Sequence, residues 1–283
     1  MSTILTALAV LAAAAPGLLV SPAELAASLK DPATVVIFVD SNEANFVAGH
    51  IPNARFVRYD AIAIDADGLS TELPPVDQLR KVLSAAGIGD TSKVVIYGAA
   101  IPAARMFFTL DYLGHPNARV LNGGLNAWKA SGGAIEIGEP KQAANAMLTP
   151  KPQPSRVVSA DWIKERLSSP KMTLLDARPD AEFTGADGGM GGAHVKGHLP
   201  DAHQLVWNSL LDASGKYLPD AELRKKFEAI GANTTTPLVS YCMVGMRASV
   251  TYFVARHLGY DARLYDGSIV DWSRRKLPAV VGK

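Results

Sequence analysis

The only cysteine of this 283-residue chain lies in the stretch Ser240-Tyr241-Cys242-Met243-Val244-Gly245-Met246-Arg247-Ala248-Ser249. A run of apolar and β-branched residues precedes it, and a helical pattern from Ala248 to Leu258 follows, with Gly259 as a stop. Cys242 is therefore predicted to lie where a buried strand passes into a helix. Loop amides at such a place converge near the positive end of the helix dipole, so we expect the site to favour a thiolate and to hold an anion beside it.

Composition sets broad limits on the class of protein. With 48% hydrophobic and 19% charged residues the chain is typical of a soluble globular protein, and its length suggests about two domains. The net charge of +1, without a basic block, gives no support for nucleic-acid binding. A single cysteine excludes an internal disulfide and a multi-cysteine metal site.

Residues 1–17 form a possible signal peptide. The apolar run Ile4 to Ala15 has the length of a signal-peptide core and is too short to span a bilayer, and Ala13 to Ala15 offer a cleavage site. Residues 1–15 contain no Lys or Arg, so an Ala-rich leading helix or tail is the alternative. Export would place the protein in the periplasm or outside the cell, and otherwise we expect it in the cytoplasm, with no membrane partner.

The motifs of residues 18–132 return in the same order in residues 156–283, after a linker at 133–155 that is rich in Pro and Gly. The paired motifs are Val36 to Asp40 with Met172 to Asp176, Gly49 to Ala54 with Gly197 to Ala202, Val94 to Tyr97 with Leu238 to Tyr241, and Leu121 to Trp128 with Leu264 to Trp272. This pattern predicts a tandem duplication of one α/β domain. Each copy is expected to be a mainly parallel sheet with helices on both faces.

The duplication supplies an internal control for the cysteine loop. Gly98 stands at the position of Cys242 in the first copy, and its loop contains neither a nucleophile nor a cation. The second copy is therefore predicted to be catalytic and the first to be inactive. His198 is mirrored by His50, which favours a structural role, and Asp266 is expected to be a turn residue.

Three motifs of the second copy carry a resemblance to a known family. They are Asp176-Ala177-Arg178, Gly197 to Ala202, and the Cys-x-x-Gly-x-Arg loop from Cys242 to Arg247. Over about residues 18 to 278 the chain resembles the rhodanese superfamily, and its two tandem rhodanese-like domains are similar to thiosulfate and 3-mercaptopyruvate sulfurtransferases. The resemblance implies a Cys242 persulfide that passes sulfur from a donor to cyanide or a thiol, without a metal or organic cofactor.

The candidate site residues follow from these motifs. Cys242 is the expected nucleophile, in an active-site loop that also contains Met243, Val244, Gly245 and Met246. Arg247, the charged residue of the loop, is expected to bind the substrate anion or to support the thiolate, and the alternative is an ion pair with an acid. The resemblance makes Arg178 a second substrate contact, and the alternative is a structural ion pair with Asp176 or Glu182.

The sequence leaves more than one sulfur donor and more than one reaction class open. Arg178 and Arg247 offer two cations to a dianion, so thiosulfate is the expected donor and 3-mercaptopyruvate the alternative. A cysteine phosphatase would have five residues between cysteine and arginine, whereas four separate Cys242 from Arg247. A non-enzymatic sulfur carrier also stays open. We expect a monomer whose partners are a small anionic sulfur donor and a thiol or cyanide acceptor.

Overall fold

Two parallel β-sheets, one in each half of the chain, form the framework of the computed structural model. The structure describes residues 17–168, 171–188 and 196–282. The possible signal peptide up to residue 16 lies outside the described residues.

The first half forms a five-stranded sheet of order β1-β7-β6-β2-β3, in which all neighbouring strands are parallel. A separate antiparallel hairpin consists of β4 and β5. The elements are β1 (Leu19–Val20), α1 (Pro22–Ser28), β2 (Thr34–Asp40), α2 (Glu43–Val47), β3 (Arg55–Arg58), β4 (Ile64–Ala66), β5 (Leu69–Glu72), α3 (Val76–Ala85), β6 (Lys93–Gly98), α4 (Ala100–Tyr112), β7 (Ala118–Leu121) and α5 (Gly124–Ala130).

The second half repeats this plan with a four-stranded parallel sheet of order β11-β10-β8-β9. The elements are α6 (Ala160–Lys164), β8 (Thr173–Asp176), α7 (Asp180–Thr184), β9 (Ala202–Gln204), α8 (Asp220–Ala229), β10 (Leu238–Tyr241), α9 (Ala248–His257), β11 (Ala262–Leu264) and α10 (Ser268–Arg274). The duplicated α/β architecture that the sequence predicts is thereby confirmed.

Successive residues of the central strands enter different hydrophobic cores, which shows that both faces of each sheet are covered. In β2, Ile37 belongs to one cluster and Val36 to another. In β10, Leu238 belongs to the same cluster as Ile37, whereas Val239 belongs to a third. Continuous apolar strands are typical of such doubly covered parallel sheets. The cluster with Ile37 and Leu238 contains residues of both halves, so the two domains share a core.

Helices α4 and α9 pack against each other across the domain interface. The rings of Phe107 and Phe253 have centroids 4.9 Å apart, and those of Phe108 and Tyr252 are 5.1 Å apart, both edge to face. The Tyr252 hydroxyl also donates a hydrogen bond of 2.5 Å to Asp111. This packing fixes the second domain's cysteine loop relative to the first domain.

The two Gly-His turns have the same construction in both domains. Nδ1 of His50 lies 3.0 Å from the carbonyl oxygen of Phe46, and Nδ1 of His198 lies 2.9 Å from that of Phe183. Each imidazole also stacks on the phenyl ring of the same partner, with centroids 3.7 and 3.8 Å apart. The structure gives both buried histidines the structural role that the sequence predicts.

The predicted linker, residues 133–155, follows the surface of the first domain. The Asp90 amide donates to the Met147 carbonyl at 3.0 Å, and the Lys151 amide donates to the Leu113 carbonyl at 2.8 Å. A short 3₁₀ helix, Pro154–Arg156, ends the segment where the prolines cluster.

Candidate active site

The loop from Cys242 to Arg247 joins the C-terminal end of β10 to the start of α9. Cys242 is 1% exposed and belongs to the core that the two domains share. Gly245 has a φ of +82°, and a Cβ atom at this position would collide with the side chain of Asp266. Glycine is therefore required at the turn of the loop.

Ser268, the first residue of α10, holds the loop by hydrogen bonds that sequence reasoning did not anticipate. Its Oγ accepts from the amides of Cys242 at 3.1 Å and Gly245 at 3.0 Å, and donates to the carbonyl of Tyr265 at 2.8 Å. Two loop amides are thus bound to the serine rather than free for an anion. Among the described residues no acceptor is bonded to the remaining loop amides, those of Met243, Val244, Met246 and Arg247.

Arg247 forms an ion pair with Glu182 of α7 and also stands beside the thiol. Its Nη1 and Nη2 each lie 2.7 Å from a carboxylate oxygen of Glu182. Burial lowers the pKa of Arg247, but the bonds to Glu182 and the adjacent Cys242 raise it, and the net shift is upward. Arg247 therefore combines the two arrangements that the sequence left open, an acid partner and proximity to the thiol.

Arg178 is placed differently from an open substrate contact. It is fully buried, and its guanidinium donates to both carboxylate oxygens of Asp176 and to the carbonyl of Gly197 at 2.8 Å. The structural ion pair with Asp176, the alternative left by the sequence, is thus the arrangement present. Separating a buried, paired charge is costly, so in this geometry Arg178 is not available to a donor anion.

Asp266 was expected to be a turn residue, and instead it ties the two domains together next to the loop. Its carboxylate accepts from Arg105 Nη1 at 2.5 Å and Nη2 at 2.9 Å, and from the Leu73 amide at 2.8 Å. Arg105 also donates to the carbonyl of Thr71 at 2.7 Å, and the Thr71 hydroxyl donates to the carbonyl of Val244. The first domain therefore holds the cysteine loop in place.

The first copy of the site shows related contacts, with Gly98 in place of the cysteine. The Tyr217 amide donates to Oδ1 of Asn122 at 2.8 Å, as the Leu73 amide does to Asp266 in the other copy. A Cβ atom on Gly98 would collide with the carbonyl oxygen of Val39 in β2. A cysteine at this position would require the strand to move, which agrees with the predicted inactivity of the first copy.

Tyr59 and Glu72 of the first domain also lie in this region, and no sequence motif distinguishes either of them. Burial raises the pKa of Tyr59 to about 12, with further effects of Arg105, Asp266 and Cys242. Burial raises the pKa of Glu72 to about 7, and the negative charge of Asp266 adds to the shift. Both residues are far from the cysteine loop in the sequence, so only the folded structure relates them to it.

Within residues 17–168, 171–188 and 196–282, no cluster of three or more His, Cys, Asp or Glu side chains is arranged to bind a metal ion. No helix in the same ranges has the length and apolar character needed to cross a membrane.

Comparisons with known proteins agree with this geometry. The model of the rhodanese-like domain matches residues 21–131 and 159–275. The thiosulfate sulfurtransferase of Azotobacter vinelandii is 28% identical over 259 residues, which cover 90% of this chain and 93% of that protein. The sulfur carrier protein TtuD of Thermus thermophilus is 29% identical over 272 residues, which cover 91% of this chain and 94% of that protein.

Among solved structures, EanB with a cysteine persulfide and ergothioneine superposes with a TM-score of 0.81 at 25% identity. The match covers 88% of this chain and 65% of EanB. The two matched segments of the family model span most of the sequence and coincide with the two sheets. The chain therefore belongs to the rhodanese family, as a tandem pair of rhodanese-like domains.

Proposed function

We propose that the protein is a sulfurtransferase that accepts sulfane sulfur from thiosulfate as a persulfide on Cys242 and passes it to cyanide or a thiol. The observation that carries the proposal is the position of Cys242 in a strand-to-helix loop, beside Arg247 and four amides that are bonded to no acceptor among the described residues. Amide dipoles and a cation stabilise both a thiolate and a negatively charged outer sulfur. The sulfurtransferase and sulfur-carrier relatives support the same chemistry.

The reaction consists of two nucleophilic displacements. The Cys242 thiolate attacks the outer sulfur of thiosulfate, the bond between the two donor sulfurs breaks, and its electron pair leaves with sulfite. Cyanide or a thiolate then attacks the outer sulfur of the persulfide. The persulfide bond breaks, and its electron pair returns to Cys242 as the thiolate.

In this scheme Arg247 stabilises the negative charge that moves between Cys242 and the transferred sulfur. Its pair with Glu182 fixes the direction of the guanidinium, because a two-pronged Arg–carboxylate contact restrains both groups. The same pair leaves Arg247 less free to bind a second anionic group of the donor.

The structure gives weaker electrostatic support for thiosulfate as the donor than the sequence did. Arg178 is engaged by Asp176, so one of the two cations expected to favour a dianion is occupied. Cys242 is 1% exposed, which favours a donor with a terminal sulfur on a narrow end. Thiosulfate and 3-mercaptopyruvate both meet this condition. We retain thiosulfate because the A. vinelandii relative bears that name, with 3-mercaptopyruvate as the alternative.

A steady-state assay of thiocyanate release with each donor tests the proposal. We expect many turnovers per protein with thiosulfate and a larger kcat/KM than with 3-mercaptopyruvate, and no turnover for Cys242→Ser. Comparable values for the two donors would overturn the preference for thiosulfate. A single sulfur released per protein would instead support a sulfur carrier, the function named for the Thermus relative.

A further inference from the structure

Two tyrosine hydroxyls, those of Tyr59 and Tyr217, are buried without a hydrogen-bond partner among the described residues. A buried hydroxyl without a partner loses its hydration and gains nothing in return, so such groups are rare in folded proteins. Where one persists beside a reactive group, a bound ligand can supply the missing partner. The surroundings of the two tyrosines therefore decide which of them has such a role.

The two tyrosines lie in different places, one near the Gly98 loop and the other in the core around Cys242. Tyr217 lines the cavity beside the Gly98 loop of the inactive copy. Tyr59 belongs to the core that contains Cys242. The charges of Arg105, Asp266 and Cys242 all affect the pKa of its hydroxyl. Tyr59 is thus the unpartnered hydroxyl at the chemical site.

The position of Tyr59 has a counterpart in the other domain. Tyr59 is the first residue of the 3₁₀ helix Tyr59–Ala61, which follows β3, and Trp207 is the first residue of the 3₁₀ helix Trp207–Leu210, which follows β9. Trp207 lines the cavity at the Gly98 loop of the first domain. Tyr59 has the equivalent position in the first domain, so the duplication directs it to the cysteine loop of the second. The inactive site receives an indole, and the cysteine site receives a phenol with an unused donor.

We propose, on the basis of the sulfurtransferase function above, that the Tyr59 hydroxyl donates a hydrogen bond to the sulfur atom that is transferred onto Cys242. The persulfide extends from the thiol by one sulfur atom, and its outer sulfur is negatively charged after the displacement. Tyr59 keeps its proton throughout, because burial holds the pKa of the phenol at about 12. Tyr59 donates a hydrogen bond in this role, and its O–H bond stays intact.

The variant Tyr59→Phe tests the proposal, with Tyr217→Phe as the matched control, because both remove a buried hydroxyl that has no partner. We expect both variants to melt at the same temperature as the resting wild type or higher. Tyr59→Phe should lower kcat/KM for sulfur transfer by roughly tenfold to a hundredfold, as for a lost bond to a charged atom. Tyr217→Phe should leave turnover unchanged.

Persulfide loading supplies a readout that a purely structural role would not affect. Loading with thiosulfate should raise the melting temperature of the wild type more than that of Tyr59→Phe. Turnover of Tyr59→Phe within twofold of the wild type, or an equal loading effect in both proteins, would overturn the role of Tyr59 alone. A wild type that gains no sulfur from thiosulfate or 3-mercaptopyruvate would overturn the sulfurtransferase function, and the role of Tyr59 with it.

Discussion

The ion pair between Asp266 and Arg105 joins the two domains directly behind the cysteine loop, and Asp266→Asn is the perturbation that probes it. Arg105 is fully buried, and both of its terminal nitrogens donate to Asp266, at 2.5 and 2.9 Å. Removing the charge of one member of a buried pair typically costs about 3–5 kcal/mol, since the other charge is left uncompensated. An asparagine can still accept one hydrogen bond, so we expect a loss of about 3 kcal/mol.

Urea unfolding followed by tryptophan fluorescence measures this loss, with thiocyanate release assayed on the same samples. We expect turnover to fall as well, because Arg105 also orders Thr71, whose hydroxyl bonds to the Val244 carbonyl. The double variant Arg105→Met with Asp266→Asn should cost much less than the sum of the single variants, because no charge is left buried. A loss below about 1 kcal/mol for Asp266→Asn would refute the role that we assign to the pair.

Two further variants test neighbouring groups. Glu72 has a pKa of about 7 against an ordinary value of 4.5, so its ionisation destabilises the folded protein increasingly as the pH rises from 4.5 to about 7. Glu72→Gln should be more stable than the wild type by about 1 kcal/mol at pH 8, after allowance for solvent screening, and equal to it below pH ~4.5. Melting curves across this range check it, and a constant difference would contradict it. Ser268→Ala leaves the amides of Cys242 and Gly245 without their acceptor, so we expect a loss of about 1–3 kcal/mol in urea unfolding and slower turnover. An unchanged midpoint would contradict that assignment.

The framework of the fold could be predicted because it depends on local patterns. Apolar runs such as Val94 to Tyr97 form strands, and the helical pattern from Ala248 onward begins where the structure has α9. At the start of α1, Ser21 and Glu24 form a capping box, an arrangement that depends only on residues close together in the sequence. The duplication then assigned the same plan to both halves.

The site could be predicted only as far as the cysteine loop extends along the chain. Ser268 accepts a hydrogen bond from the Cys242 amide, and Tyr59 shares the buried core of Cys242, yet both belong to distant segments of the chain. No local pattern distinguishes them from other serines and tyrosines. Arg105 could have been recognised from the sequence, because it is a lone arginine among apolar residues of α4 and such a residue needs a buried partner. The sequence placed Asp266 in a turn and did not identify it as that partner, so the pairing of the two residues is known only from the structure.

The intact mass of the protein after exposure to thiosulfate tests directly whether Cys242 forms a persulfide. We expect that the wild type gains one sulfur atom, that peptide mapping locates it on Cys242, and that cyanide removes it. Cys242→Ser should gain none under the same conditions. A serine variant that gains sulfur as the wild type does, or a wild type that gains none from either thiosulfate or 3-mercaptopyruvate, would contradict the claim.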